Sequence, residues 1–160
     1  MEPANKILTF EKTTETLQKL KHKKKKIVLV GGIFDILHRG HIEFLENSKK
    51  EGDVLIIALE SDQKAREEKG KNRPINIQDD RAFMLSRFEF VDYIIMLPYL
   101  RHDLEYRDLV KLLQPDIIAI TNSDPLIRLK ESYAKEVGGK VLEVISKIKD
   151  YSTTSIETKL

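Results

Sequence analysis

Five short apolar runs recur along the chain, and polar segments with helical periodicity separate them. The runs are rich in Ile, Val and Leu and are bounded by glycine, proline or aspartate, which is typical of strands buried on both faces. They comprise residues 27–30, 53–59, 91–97, 115–120 and 140–145. Strands that alternate with helices predict the α/β class: a Rossmann-like parallel sheet of five strands, with right-handed crossovers and helices on both faces.

The polar segments between these runs predict the covering helices. We expect helices over residues 41–50, 79–87, 104–113 and 125–137, and a last helix from Ser152. Residues 60–77 contain Gly70 and Pro74, so we expect a long loop there with room for one helical turn. Residues 1–25 are predicted to form a helical N-terminal extension, ahead of one domain over residues 26–160.

Composition argues against several classes of protein. Lys and Arg total 28 against 26 Asp and Glu, and this net charge of +2 argues against a nucleic-acid binder despite the basic run at 21–26. The sequence has no cysteine, which excludes disulfides, thiolate zinc sites and a cysteine nucleophile. No apolar run approaches the roughly 20 residues that cross a bilayer, and the first residues do not resemble a signal peptide. We therefore expect a cytoplasmic protein that binds neither nucleic acid nor membrane.

The segment that follows the first apolar run carries the densest polar chemistry in the chain. Gly31 and Gly32 allow a sharp turn and let a ligand approach the main chain. His38 and His41 flank Gly40 where a helix is expected to begin, so two imidazoles join the main-chain N–H groups and the helix dipole. All of these groups favour an anion, and ligands of such sheets bind beyond the carboxyl ends of the strands. The segment therefore predicts a polyphosphate site.

Competing motifs fit this segment less well. The Gly-x-Gly-x-x-Gly fingerprint of dinucleotide binding is absent after the first run, and neither Gly-Lys pair in the chain is followed by Ser or Thr, as a Walker A loop requires. Asp35, His38 and His41 are spaced by three residues and could instead ligate a divalent metal. We rank that alternative lower because Gly40 and the helix start favour an anion.

With the preceding Gly32-Ile33-Phe34-Asp35, the sequence His38-Arg39-Gly40-His41 resembles the signature of the cytidylyltransferase-like nucleotidyltransferases. The resemblance extends to Arg73-Pro74-Ile75-Asn76 with Asp80-Arg81, and to Ser152-Thr153-Thr154, so it covers about residues 26–160. Among the subfamilies, the chain is most similar to the heptose-1-phosphate adenylyltransferases of lipopolysaccharide precursor synthesis, and next to the glycerol-3-phosphate cytidylyltransferases.

The resemblance implies an enzyme and its partners. It implies transfer of a nucleoside monophosphate from ATP to a sugar 1-phosphate, with release of pyrophosphate. The alternatives are a cytidylyltransferase that uses CTP with glycerol-3-phosphate or a phosphonate, and a nucleotide-binding module without turnover. The expected partners are thus ATP or CTP and a small phosphorylated acceptor. Mg²⁺ is expected to be held mainly by the nucleotide phosphates, with no metal ligand from the protein, and a homodimer is possible.

The resemblance also implies roles for individual residues. His38 and His41 would hold the α- and β-phosphates, and Lys147 would add charge where cytidylyltransferases carry arginine; these three are the expected catalytic residues. Donors to the β- and γ-phosphates would come from Ser152, Thr153 and Thr154 at the start of the last helix. The other expected nucleotide or phosphate contacts are Gly32, Ile33, Phe34, Asp35, Gly40, Lys69, Arg73, Arg81, Asn122 and Asp124.

Simpler structural roles stay open for several of these residues. Asp35 could orient a histidine, receive a ribose hydroxyl or stabilise its own turn, and Arg81 could form a structural ion pair. Lys69 could be a solvated loop residue. Asn122 and Asp124 stand where the heptose adenylyltransferases carry a Lys-Gly-Gly-Asp-like stretch, so we expect altered acceptor or base contacts there.

A further group of polar residues follows the third apolar run. It comprises Tyr99, Arg101, His102 and Tyr106. Because it lies after a strand, this group could reach the acceptor.

Overall fold

A parallel sheet forms the centre of the protein in the computed structural model, which describes residues 1–145. Its strands are β1 (Ile7–Leu8), β2 (Ile27–Gly32), β3 (Val54–Leu59), β4 (Tyr93–Met96), β5 (Ile117–Thr121) and β6 (Lys140–Ile145). They lie in the order β1-β4-β3-β2-β5-β6, and every neighbouring pair is parallel. The carboxyl ends of all these strands therefore meet at one edge of the sheet.

The predicted Rossmann-like parallel sheet is confirmed, but the predicted number of five strands is wrong, since the described residues form a sheet of six. The additional strand, β1, comes from the N-terminal segment. Ile7 pairs with Ile94 and Leu8 with Ile95, so β1 covers the outer side of β4. Two residues are too few to show the periodicity on which strand prediction depends.

Helices follow the strands and cover the sheet. They are α1 (Pro3–Lys6), α2 (Phe10–His22), α3 (Arg39–Lys50), α4 (Asp62–Lys69), α5 (Gln78–Ser86), α6 (Asp103–Leu113) and α7 (Ile127–Glu136). None of the helices within residues 1–145 is both long enough and apolar enough to span a membrane. The helix expected from Ser152 lies outside the described residues.

The expectation of a long loop over residues 60–77 is wrong, because α4 occupies eight of them. The Ser61 side chain caps this helix by accepting the Lys64 main-chain N–H at 3.2 Å. Gly70, whose φ is 111°, follows the last residue. Only Ala65 of this helix is buried, so its sequence lacks the apolar stripe that reveals a surface helix.

The core lies on both faces of the sheet, as alternation along β2 shows. Ile27 and Leu29 pack in the cluster that includes residues of α2, α6 and α7, whereas Val28 and Val30 pack in the cluster with α3 and α5. Complete burial of one such side chain contributes about 1.5–3 kcal/mol to folding. The loop that follows β2 is therefore anchored to the most enclosed part of the fold.

The pairing of β2 with its two neighbours differs in length. Pairing with β3 continues to the end of β2, where Gly32 faces Leu59. Pairing with β5 comprises only Val28 with Ile117 and Leu29 with Ile118. The two strands therefore separate beyond Leu29, at the point where the strand order reverses, and this is where open α/β sheets bind ligands.

Candidate active site

A cavity of about 550 Å³ lies where β2 and β5 separate. Its walls come from the loop after β2, from the ends of β3 and β5, and from α4, α6 and α7. We call residues 31–41 the histidine turn. Gly31, Gly32, Ile33, Phe34, Asp35, His38, Gly40 and His41 of this turn all line the cavity.

Two stacked imidazole rings form one wall of the cavity. The ring centroids of His38 and His41 are 3.8 Å apart and the rings are inclined by 21°. His38 is the N-cap of α3, and its Nδ1 accepts the main-chain N–H of His41 at 3.4 Å. A neutral His38 whose Nδ1 is an acceptor carries its proton on Nε2. The start of α3 thus combines two imidazole rings with a helix N-terminus, where anions bind well.

The electrostatics of this pair favour a ligand with negative charge. Burial, together with the charges of His38 and Lys69, lowers the pKa of His41 to about 4. Burial also lowers the pKa of His38. Both rings are therefore neutral at pH 7 without a ligand. A polyphosphate beside them would favour their charged forms and raise both pKa values again.

The two glycines of the turn have different roles. A Cβ atom on Gly32 would lie 2.8 Å from Cε2 of Phe34, so the buried ring of Phe34 requires a glycine there. A Cβ atom on Gly31 would have no atom within 4 Å. Gly31 therefore leaves main chain open to the cavity, where a ligand could approach it.

Asp35 and Arg73 form a buried ion pair beneath the histidine turn. Arg73 Nε lies 2.6 Å from Asp35 Oδ2, and the main-chain N–H groups of Ile75 and Asn76 each donate to the same carboxylate at 2.8 Å. Burial alone would raise the pKa of Asp35, but these donors outweigh it and hold that pKa below its usual value. Asp35 thus stabilises its own turn, and Arg73 lines the cavity while paired to it.

Arg81 does not fit the expected role of a phosphate ligand, because the protein itself occupies its donors. The residue is completely buried. Its guanidinium donates to the carbonyl oxygens of Ile33 at 2.5 Å, Asn76 at 3.0 Å and Glu60 at 2.9 Å. It also lies 2.7 Å from Oδ1 of Asp62. This is the structural ion pair considered as the alternative, and it joins the histidine turn to the end of β3.

The remaining expected residues differ in position. Lys69, the last residue of α4, lines the cavity close enough to His41 to lower its pKa. Asp124 also lines the cavity, but its carboxylate accepts from Leu126 N–H at 2.8 Å and from Lys130 Nζ at 2.6 Å. Asn122 is exposed and is not part of the cavity wall. The rest of the set, Lys147, Ser152, Thr153 and Thr154, lies outside the described residues.

The family model described as cytidylyltransferase-like matches residues 29–159, which include the whole histidine turn. The chain belongs to the cytidylyltransferase-like family. This membership confirms the resemblance that the histidine turn suggests.

A comparison with curated proteins found similar chains, two of which are named bifunctional protein HldE. The one from a Nitratiruptor species is 38% identical over 151 residues, which are 91% of this chain and 30% of that protein. The one from Helicobacter pylori (strain HPAG1) is 36% identical over 157 residues, which are 97% of this chain and 31% of that protein. The chain thus spans about 30% of the length of these relatives.

Two solved structures have a fold similar to that of this chain. The lipopolysaccharide core biosynthesis protein from Thermoplasma volcanium GSS1 has a TM-score of 0.63 and 31% identity, over 79% of this chain and 99% of that one. Pantoate-β-alanine ligase from Francisella tularensis, complexed with β,γ-ATP and β-alanine, has a TM-score of 0.64 and 17% identity, over 96% of this chain and 76% of that one. The second likeness shows the fold alone.

The alternative of a metal site built from Asp35, His38 and His41 does not match the arrangement of these side chains in the structure. Residues 1–145 contain no group of three or more His, Asp or Glu side chains placed to hold a metal ion. Asp35 is committed to Arg73 and to main-chain donors instead. Mg²⁺ carried by nucleotide phosphates needs no such cage.

The cavity wall also includes residues that were not selected as binding residues. Glu60 and Lys64 lie there, together with Tyr106, which the sequence analysis placed only near the acceptor. Glu60 is the first residue after β3, and that position is the sequence signal that could have identified it. Its partner Tyr106 is 46 residues away, and that distance hides the pair from inspection of the sequence.

Proposed function

We propose that the chain is a nucleotidyltransferase that transfers AMP from ATP to a sugar 1-phosphate of the heptose type and releases pyrophosphate. The stacked pair of His38 and His41 at the start of α3, facing the cavity, carries this proposal. Membership of the cytidylyltransferase-like family supports the type of reaction. The solved relative named as a lipopolysaccharide core biosynthesis protein supports a sugar-phosphate acceptor.

The proposed reaction is one in-line displacement. An oxygen of the acceptor phosphate forms a bond to the α-phosphorus of ATP, and the bond from that phosphorus to the β-phosphate oxygen breaks. Pyrophosphate leaves with the electron pair of the broken bond. The acceptor phosphate is already an anion near neutral pH, so no general base is required, and catalysis consists of positioning and charge stabilisation.

His38 and His41 are assigned to the α- and β-phosphates, where their ring N–H groups would donate to the oxygens that gain charge in the transition state. Lys69 lies beside them and would add positive charge near the triphosphate. Mg²⁺ bound to the phosphates would neutralise part of their charge. Lys147 remains the proposed source of further positive charge, and Ser152, Thr153 and Thr154 remain the proposed donors to the β- and γ-phosphates; in the sequence all four follow β6.

A screen of pyrophosphate release tests the proposal. ATP and CTP are each combined with heptose 1-phosphate, other sugar 1-phosphates, glycerol-3-phosphate and a phosphonate. We expect turnover with ATP and a sugar 1-phosphate. Turnover with CTP and glycerol-3-phosphate alone would favour the cytidylyltransferase, and binding of nucleotide without turnover on any acceptor would favour the non-catalytic module.

Matched variants connect the activity to the cavity. His38→Ala and His41→Ala should each reduce turnover strongly. His22→Ala removes an exposed histidine at the end of α2 and should leave it unchanged. Full activity in both cavity variants would refute the assignment of the site.

A further inference from the structure

The main chain of Glu60 is fixed beside the histidine turn. Glu60 directly follows β3, and its N–H donates to the carbonyl oxygen of Gly32 at 3.0 Å. The buried guanidinium of Arg81 holds the carbonyl groups of Glu60 and Ile33 together, at 2.9 and 2.5 Å. The Glu60 side chain therefore starts from a rigid position at the carboxyl edge of the sheet, where the cavity lies.

One carboxylate oxygen of Glu60 has a partner and the other does not. The hydroxyl of Tyr106 donates to Oε1 at 2.8 Å. Oε2 is buried, and no residue between 1 and 145 gives it a hydrogen bond. Both side chains line the cavity. A buried acceptor without a donor is unfavourable, and burial accordingly raises the pKa of Glu60. A ligand that donates to Oε2 would remove this deficit.

The charges around Glu60 determine which part of a ligand belongs there. Glu68 also lines the cavity and its charge raises the pKa of Glu60, so a further negative group such as a phosphate would be repelled there. Lys64 and Arg81 partly offset this negative charge, since both lower the pKa of Glu60. The Lys64 ammonium is shared with Glu68, 3.8 Å from its Nζ, and with the Tyr106 ring, whose centroid is 5.5 Å away. Phosphate binding is thus favoured near His38 and His41, whereas hydroxyl donors are favoured near Glu60.

We propose that Glu60, positioned by Tyr106, accepts a hydrogen bond from a hydroxyl group of the acceptor and so selects a polyhydroxylated sugar phosphate over smaller phosphates. The inference rests on the proposed nucleotidyltransferase function. A ribose hydroxyl of the nucleotide has the same chemistry. We assign the acceptor because the crevice between β2 and β5 suits the nucleotide, and β3, which Glu60 follows, lies on the other side of β2.

Kinetics of Glu60→Gln test the proposal, because the substitution keeps the shape and removes the charge. With ATP and heptose 1-phosphate, we expect KM for the sugar phosphate to rise about ten- to hundredfold, as for loss of a hydrogen bond to a charged group. KM for ATP should stay within about twofold of the wild-type value, because in this proposal Glu60 does not contact the nucleotide. Tyr106→Phe leaves Glu60 in place without its anchor and should raise the same KM by a smaller factor. Glu67→Gln, an exposed substitution outside the cavity wall, is the matched control.

Deoxy analogues identify the hydroxyl. Removing the recognised hydroxyl from the sugar phosphate should raise its KM for the wild type and leave its KM for Glu60→Gln unchanged. A merely structural role of Glu60 would not produce this difference. If KM for ATP rises instead, and Glu60→Gln no longer distinguishes ATP from 2′- or 3′-deoxy-ATP, the hydroxyl belongs to the nucleotide and the proposal is wrong. An unchanged KM for the sugar phosphate in Glu60→Gln would also overturn it.

Direct binding separates this inference from the proposed function. Calorimetry measures heptose 1-phosphate binding in the presence of a non-hydrolysable ATP analogue. Turnover by the wild type with equal sugar-phosphate affinity in the wild type and Glu60→Gln would refute the role of Glu60 alone. Binding that depends on Glu60 but never leads to pyrophosphate release would refute the transferase alone. No binding by the wild type would refute the inference as well.

Discussion

The histidine turn and the segment over residues 73–81, which we call the arginine segment, are both polar and both resemble phosphate-binding motifs. In the histidine turn, the His38 and His41 rings line the cavity and their pKa values are lowered by burial. In the arginine segment, Arg73 pairs with Asp35 and Arg81 donates to four protein groups. A motif residue whose donors are all bound by protein groups, as those of Arg81 are, is therefore a weaker candidate for a ligand contact. The comparison predicts that the arginine segment acts mainly on stability and the histidine turn mainly on activity.

Replacement of the most buried charge should have the largest effect. Arg81→Met keeps an unbranched side chain but removes the donors to Ile33, Asn76, Glu60 and Asp62. We expect the free energy of unfolding to fall by about 3–5 kcal/mol, because buried acceptors lose their partner. Urea denaturation measures this loss. Wild-type stability with lost activity would instead place Arg81 among the phosphate ligands.

His41→Ala should show the opposite pattern. Removal of one transition-state donor costs about 2.7–4 kcal/mol, so kcat should fall by two to three orders of magnitude. The free energy of unfolding should fall by less than in Arg81→Met, because the ring contacts with Phe34 and His38 are lost but a buried nitrogen without a partner among residues 1–145 is removed with them. Single-turnover kinetics and urea denaturation on the same samples separate the two effects. A large loss of stability with a wild-type kcat would contradict the prediction that the histidine turn acts mainly on activity.

Acid should destabilise the protein through His41. The folded-state pKa of about 4 lies below the unfolded value of about 6.5, so the unfolded chain binds the proton first as the pH falls. The contribution of this pKa shift to the free energy of unfolding is complete above pH 6.5. It declines as the pH falls toward 4, by an amount on the order of 2–3 kcal/mol. The difference in unfolding free energy between the wild type and His41→Ala should change over this range. A difference independent of pH would show that the ring is not desolvated.

The smallest effects on stability are expected at the two glycines of the histidine turn, which should respond differently to replacement by alanine. Gly32→Ala places a methyl group 2.8 Å from the Phe34 ring, so we expect a loss of about 1–3 kcal/mol from overpacking. Gly31→Ala meets no atom within 4 Å and should change stability by less than about 0.5 kcal/mol. Thermal melts measure both. If Gly31→Ala leaves stability intact but weakens ATP binding, the open main chain at Gly31 contacts the nucleotide.

The sequence predicted most of the sheet because the strands have a strong local signal. The run Ile27–Val30 is apolar at every position and ends at Gly31, and no distant information is needed to assign it. Elements without such a signal were missed. β1 has only two residues, and α4 buries only Ala65, so neither shows a periodic pattern.

The motif of the candidate site could be predicted from the sequence, but the separate roles of its residues could not. Spacing alone placed His38 and His41 beside Gly40. Sequence could not reveal that the donors of Arg81 are used by carbonyl groups as far away as Ile33, which is 48 residues distant. Equally, the position of Glu60 after a strand was visible, whereas its bond to Tyr106 depends on the fold.

The early end of pairing between β2 and β5 has a consequence for how such a protein can change. Only Val28 and Leu29 pair across these strands, so the width of the opening is set by the backbone and not by the side chains on its walls. Wall residues can then be exchanged without closing the opening. A lineage built on this frame is free to change what the opening binds one side chain at a time while the backbone that forms it stays in place.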